Sequence, residues 1–152
     1  MIELEFKRKV SAAMEVRGAV VQWHEDKYEL NIADLSYSFK GIDGWIEFKK
    51  QRKMTSIANL VGRNGSMTAG QLDWLTKRGE TGSGHCWLAI GFGSGQNSCL
   101  VHWSQIQTLN KQRWVDHPHM VFGSPEAMAS YFTGLAREYS SRYSLPFSWR
   151  PY

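Results

Sequence analysis

The chain has 152 residues, and its 42% of hydrophobic and 13% of aromatic residues exclude a disordered polypeptide as the default interpretation. Its 18 Lys and Arg against 14 Asp and Glu give a net charge of +4 and a pI of about 9.1, which favours a polyanionic partner without requiring one. No apolar stretch has the length of a membrane span and no N-terminal signal segment is evident, so we expect no membrane partner and a cytoplasmic location.

The first part of the chain is predicted to form a helix and three strands. Apolar residues at helical spacing predict a helix over residues 3–17, and Gly18 is the expected end of that helix. Three strands are predicted over residues 19–23, 35–39 and 45–48. Residues 41–44 have a glycine at each end and are predicted to form the turn of a hairpin.

A second helix and a buried strand are predicted next. Thr68 is the expected N-cap of the helix, Gln71 is its capping-box partner three residues later, and Gly79 is the expected end. Residues 85–91 form an apolar run that predicts a buried strand, and residues 98–103 are a further strand candidate.

The C-terminal part is predicted to be an accessory region. Residues 105–112 are expected to form a short helix or turn, and Ser124 with Pro125 should begin a helix that ends near residue 139. Residues 140–152 are expected to be an extended, aromatic tail. The predicted fold class is therefore α/β, with an αβββαβ core over about residues 3–105, a mixed sheet flanked by helices, and an accessory helix and tail over about residues 106–152 of one domain, 1–152.

Acidic and basic side chains converge on the predicted hairpin. Asp34 stands at the start of one strand, and Glu47 and Lys49 share one face of the next, a face that we expect to be exposed. Ile46 and Phe48 point to the opposite face, towards the core. Two carboxylates beside an ammonium group suit a hard divalent cation such as Mg²⁺, which can polarise a phosphoryl oxygen and activate water.

This arrangement resembles the PD-(D/E)XK nuclease superfamily, and the resemblance covers most of the chain. The segment Glu47-Phe48-Lys49 matches the (D/E)-X-K half of the motif, and Asp34 matches the aspartate of the PD half. Ala33 stands where the family has proline, a residue that shapes the approach to the strand and supplies no chemistry. The similarity is to virus-type replication-repair nucleases, small phage enzymes and Holliday-junction resolvases.

Two helices extend the resemblance. Members of the family carry a glutamine near the start of the helix that follows the (D/E)-X-K strand, and Gln71 with Trp74 matches that glutamine and its aromatic neighbour. Members also often place a glutamate from the first helix beside the metal, and Glu3 or Glu5 is the candidate here. Gln71 could act as a capping residue alone, and the two roles are compatible.

The resemblance implies a restriction-endonuclease-like fold and a metal-dependent endonuclease that hydrolyses DNA phosphodiester bonds, at a junction, flap or nick. It implies that Asp34, Glu47 and the main-chain carbonyl of Phe48 bind Mg²⁺ or Mn²⁺. Lys49 would orient the attacking water, and Gln71 would position water or phosphate. A resolvase-like enzyme needs two sites to cut two strands, which favours a homodimer. A phage-encoded enzyme that acts in the host cytoplasm is one candidate origin.

Basic and polar residues directly after the proposed site are candidates for contacts with the DNA backbone. They are Lys50, Arg52, Lys53, Arg63 and Asn64.

Other classes of function stay open from the sequence. One is a non-catalytic nucleic-acid-binding module that keeps the fold, and another is a protein-interaction domain that uses the aromatic tail. Glu47 and Lys49 could also be an ordinary ion pair on a solvated strand face. The presence of Asp34, Glu47 and Lys49 together favours catalysis, because a module that only binds phosphate has no need of two carboxylates beside it.

Overall fold

The computed structural model describes residues 3–24, 31–51, 67–82, 84–93, 97–106 and 120–142. The fold is α/β, with a mixed six-stranded sheet and helices on both faces. Its elements are α1 Glu3–Val16, β1 Val20–Trp23, β2 Leu35–Phe39, β3 Ile42–Gln51, α2 Ala69–Thr81, β4 Cys86–Phe92, β5 Ser98–His102, α3 Trp103–Ile106, β6 Met120–Phe122 and α4 Pro125–Arg142.

The six strands lie in the sheet in chain order. β3 and β4 are parallel, and the other neighbouring pairs in the described sheet are antiparallel. A parallel pair needs a crossover connection, and α2 lies between β3 and β4 in the chain. The predicted αβββαβ order is confirmed, and the described chain continues through β5, α3 and β6 to α4.

The end of α1 follows the prediction. Gly18 adopts the left-handed conformation, with a φ of 97°. Its N–H donates to the carbonyl of Glu15, and the N–H of Ala19 donates to the carbonyl of Met14. This is the Schellman pattern, which satisfies two carbonyls that the helix leaves without a partner.

The hairpin turn is shorter than predicted. Lys40 and Gly41 both have positive φ, 47° and 87°, as a two-residue type I′ turn requires. Residues 42–44 therefore belong to β3, and the prediction of a turn over residues 41–44 was wrong. Gly44 is needed for packing, because a Cβ at this position would collide with the ring of Tyr37.

The start of α2 is confirmed and its end is not. The hydroxyl of Thr68 accepts from the Gln71 N–H, and the Gln71 side chain accepts from the Thr68 N–H, which completes the capping box. Gly79 lies inside the helix, which continues to Thr81. The Trp103 ring occupies the space that a side chain at Gly79 would fill, so this glycine serves packing and does not end the helix.

Two apolar clusters cover the two faces of the sheet. The first is formed by α1, α4 and one face of the strands, and the T-shaped contact of Phe6 with Phe48, at 5.6 Å between ring centroids, places α1 over β3. The second is formed under α2 and α3, which contribute Leu75 and Ile106. Each cluster excludes water from one face of the sheet, so polar side chains that are buried on that face lose their hydration.

The region after β5 contains one element that was not predicted. Met120–Phe122 forms β6, which pairs with β5 at the edge of the described sheet. Ser124 caps α4 as predicted, since its hydroxyl accepts from the Ala127 N–H at 3.1 Å. α4 continues to Arg142, so the predictions that it ends near residue 139 and that the extended tail begins at residue 140 were wrong; residues 143–152 lie outside the described residues. Within the described part of the chain, no helix combines the length and apolar character that crossing a membrane requires.

Candidate active site

Asp34 is held against β3 by a main-chain hydrogen bond. It lies one residue before β2, where strand pairing sets it beside Glu47, and the Phe48 N–H donates to its Oδ2 at 2.9 Å. Its other oxygen, Oδ1, lies 3.9 Å from the Lys7 ammonium group on α1. The main-chain hydrogen bond therefore fixes Oδ2 of Asp34, and Oδ1 faces the Lys7 ammonium group.

Glu47 and Lys49 form a buried ion pair. Lys49 Nζ lies 3.4 Å from Glu47 Oε1, and the two residues are only 7% and 2% exposed, respectively. The alternation predicted for β3 is observed, with Ile46 and Phe48 in the opposite cluster. The expectation that the Glu47 face is exposed was wrong, because α2 packs over this face.

Gln71 connects the helix cap to the buried carboxylate. Its Oε1 accepts from the Thr68 N–H at 3.1 Å, and its Nε2 donates to Glu47 Oε1 at 3.3 Å. Because the cap fixes the side-chain oxygen, the amide NH₂ group is oriented towards β3. The capping role and the contact with the acidic site thus coexist in one side chain.

The electrostatics of Glu47 differ from those of an ordinary surface carboxylate. Burial raises the pKa of Glu47 to about 8; the nearby charge of Asp34 also raises it, and Lys49 opposes both effects. A second cation beside these carboxylates would favour the ionised form, so such a cation must compete with a proton below about pH 8.

The first helix contributes Glu3 and a lysine that the sequence analysis missed. Burial raises the pKa of Glu3, on which Lys49, Asp34 and Lys7 also act, so Glu3 lies at the edge of the site. Glu5 is exposed. Lys7 stands four residues after Glu3, on the same helix face, and that spacing could have identified it.

The oxygen donors fit a hard cation. Among the described residues, no three His, Cys, Asp or Glu side chains are placed to hold a metal ion together. Mg²⁺ in proteins is commonly bound by one or two carboxylates, with waters and substrate phosphates completing an octahedron. Asp34 and Glu47, with a main-chain carbonyl such as that of Phe48, match this pattern, and carboxylate and carbonyl oxygens also suit Mn²⁺.

The proposed backbone-binding residues fall mostly beyond what can be described. Lys50 is a half-buried residue near the end of β3. The other four candidates lie outside the described residues; they are Arg52, Lys53, Arg63 and Asn64.

The raised pKa of Glu47 has a measurable effect on stability. Between about pH 4.5 and 8 the folded protein keeps a proton that the unfolded chain has released, so this group's contribution to the free energy of unfolding falls as pH rises. Glutamine does not titrate. We expect the melting temperature of Glu47→Gln, relative to the parent, to rise from pH 5 to 8 and then level off. A difference that is constant with pH would contradict the raised pKa.

No protein-family model matches the chain, and no curated protein matches it. Among solved structures, the chain is similar to a Holliday junction resolvase from Archaeoglobus fulgidus, an archaeal hyperthermophile. The match covers 87% of this chain and 95% of that chain, with 10% sequence identity and a TM-score of 0.49. At that identity and TM-score, the similarity carries no conclusion about the activity of this chain.

Proposed function

We propose that this protein is a metal-dependent endonuclease that hydrolyses DNA phosphodiester bonds. The observation that supports the proposal most is the buried cluster in which the Glu47 carboxylate contacts both Lys49 and Gln71, beside Asp34. These four residues come from β3, α2 and the segment before β2, and they match the motif positions of the PD-(D/E)XK superfamily.

Burial argues against a purely structural ion pair. Desolvating two charges costs free energy that their attraction barely offsets, and a pair of apolar residues of similar size is often at least as stabilising. Here a second carboxylate, Asp34, raises the cost further. An arrangement that lowers stability in this way is typical of a functional site.

Each residue has a defined role in the proposed reaction. Asp34 and Glu47, with the Phe48 carbonyl, would hold Mg²⁺ or Mn²⁺, and Glu3, whose charge interacts with those of Asp34 and Lys49, would add a carboxylate at the edge of the metal site. When bound, the cation would supply Lewis-acid polarisation of the phosphoryl group and would lower the pKa of water. Lys49 orients the attacking water and offsets the charge that develops on the phosphate. Gln71 fixes the Glu47 carboxylate and can donate its second amide N–H to water or phosphate.

The remaining parts of the proposal concern the substrate and the assembly. Lys50, Arg52, Lys53, Arg63 and Asn64 would contact backbone phosphates next to the site. The enzyme would act in the cytoplasm as a homodimer, because cleavage of both strands of a junction needs two sites.

The proposal predicts a strict metal requirement. Cleavage should occur in Mg²⁺ or Mn²⁺ and stop in EDTA, because the carboxylates alone cannot activate water. Ca²⁺ should bind without supporting turnover, since it tolerates looser geometry and activates water poorly. The assay uses a panel of supercoiled plasmid, linear duplex, single strand, flap and four-way junction. Undiminished cleavage in EDTA would contradict the mechanism, and binding without cleavage of any substrate would favour a non-catalytic module.

A further inference from the structure

Two tryptophans, an arginine and a histidine form a cluster beside the proposed site. The guanidinium carbon of Arg78 lies 5.1 Å from the ring centroid of Trp45 and 4.8 Å from that of Trp74. The two tryptophan rings meet edge to face, with centroids 5.0 Å apart. The His24 ring lies 4.9 Å from Trp45. We refer to Trp45, Trp74, Arg78 and His24 as the aromatic patch.

The aromatic patch is continuous with the acidic site. Trp45 precedes Glu47 by two residues on β3, so it lies on the same face at a distance of about 7 Å along the strand. Trp74 follows Gln71 by nearly one turn of α2, and Gln71 donates to Glu47. A nucleotide next to a phosphate bound beside Glu47 would therefore be within reach of the aromatic patch.

An open pocket of about 410 Å³ adjoins the aromatic patch along α2, and Trp74 and Arg78 line it. Asn31 also lines the pocket and packs over Gly70, where a Cβ would come within 2.6 Å of the Asn31 side-chain oxygen. The pocket is of the size that small organic ligands occupy, and it offers an aromatic face, a guanidinium group and an amide. Among the described residues that line the pocket, Asp73 is the one with a carboxylate, and it is paired with Lys77 at 3.2 Å.

These groups match the chemistry of a nucleobase. Tryptophan faces and guanidinium planes stack on bases, and side-chain amides hydrogen-bond to base edges. Bases in an intact duplex are already stacked and paired, so only an unpaired base can reach such a surface without paying for extrusion. Both tryptophans are half-buried and pack against the apolar cluster beneath α2, and the exposed Arg78 lies over both rings, so the guanidinium group is at the surface of the patch.

We propose that the aromatic patch binds the base of an unpaired nucleotide next to the phosphate at Glu47, and that it directs cleavage to DNA with a single-stranded segment; the position of that phosphate rests on the proposed function. The competing interpretation is that Arg78 and the tryptophans only cover the apolar cluster beneath α2. Only the proposed base binding predicts that the affinity for a nucleic-acid strand depends on the presence of its bases.

Binding of two labelled oligomers in Ca²⁺ tests the proposal: an oligothymidylate, and an abasic sugar-phosphate chain of the same length. The parent should bind the oligothymidylate at least about tenfold more tightly. In Trp74→Leu this ratio should fall towards one, and Trp74→Phe, which retains an aromatic face, should keep most of it. A parent that binds both oligomers equally, or a ratio unchanged in Trp74→Leu, would overturn the proposal.

Two arginine variants serve as a matched pair. Arg78 is exposed, so Arg78→Gln should fold even if Trp74→Leu does not, and it should also lower the ratio. Arg17→Gln removes the same charge one residue after the C-terminal end of α1, where Arg17 is exposed and donates to the Ala13 carbonyl, and it should leave the ratio unchanged. Equal ratios for Arg78→Gln and Arg17→Gln would contradict a role of Arg78 in stacking.

Cleavage of the same single strand and of a blunt duplex in Mg²⁺ separates the two proposals. If the parent cuts DNA and Trp74→Leu keeps the same substrate preference, the proposed nuclease activity stands and the proposed role of the aromatic patch is overturned. If the parent cuts no DNA and Trp74→Leu loses the preference for the oligomer with bases, the aromatic patch stands as a single-strand binding site and the proposed nuclease activity is overturned.

Discussion

Replacing Glu47 with glutamine is expected to lower Mg²⁺-dependent cleavage by roughly a hundredfold or more, while DNA affinity is kept or improved. An amide cannot supply the negative charge that holds the cation, and its loss also reduces repulsion of the DNA phosphates. The fold should persist, because glutamine has nearly the same shape and its Oε1 can still accept from Gln71. Cleavage rates and binding titrations on the same substrate measure both effects.

The matched control for this substitution is Glu126→Gln. Glu126 is an exposed carboxylate in the first turn of α4, so the chemical change is identical but occurs away from the site. We expect Glu126→Gln to cleave DNA at the same rate as the parent. Cleavage by Glu47→Gln at the rate of Glu126→Gln would show that the Glu47 carboxylate has no part in the reaction.

Replacing Ile46 with aspartate should unfold the protein. Ile46 is fully buried in the cluster beneath α1 and α4, on the face of β3 opposite to Glu47. An unpaired carboxylate there costs several kcal/mol, which is a large part of the roughly 5–15 kcal/mol that stabilises a typical fold. Circular dichroism and a thermal melt at pH 7 should show the loss of cooperative unfolding.

Val20→Asp provides the control for Ile46→Asp. It places the same side chain on β1, at the edge of the described sheet, where Val20 is 72% exposed. Surface changes of this kind usually alter the free energy of unfolding only slightly, so this variant should melt cooperatively near the temperature of the parent. A cooperative melt of Ile46→Asp at the same temperature would contradict the register of β3.

Local patterns predicted much of the fold because they report local physics. The capping box of Thr68 and Gln71, the glycine that ends α1 and the alternation in β3 depend on neighbours within a few residues. Gly79 was misread because a glycine can serve either a helix end or close packing, and only the distant Trp103 decides between the two. β6 has three residues, too few for a periodic signal.

The sequence predicted which residues form the candidate site, but it did not predict that they are buried. Asp34, Glu47 and Lys49 were selected by motif and strand period, but their burial depends on α2 crossing the sheet, which is a long-range contact. Lys7 was missed because it lies far from the motif in sequence and reaches Asp34 only after α1 packs on β3. The aromatic patch could not be predicted for the same reason, because Trp45 on β3 and Arg78 on α2 come into contact only when α2 packs on the sheet.

The most direct test of the proposed function is the rate of Mg²⁺-dependent DNA cleavage by Lys49→Met compared with the parent. Methionine keeps the aliphatic stem of this buried residue and removes the ammonium group that contacts Glu47, while Asp34 and Glu47 remain. We predict that the parent cuts at least one substrate of the panel, and that Lys49→Met, folded by its thermal melt, cuts it slower by roughly a hundredfold or more. Cleavage by Lys49→Met at the rate of the parent, or no cleavage by the parent in Mg²⁺ or Mn²⁺, would contradict the proposal.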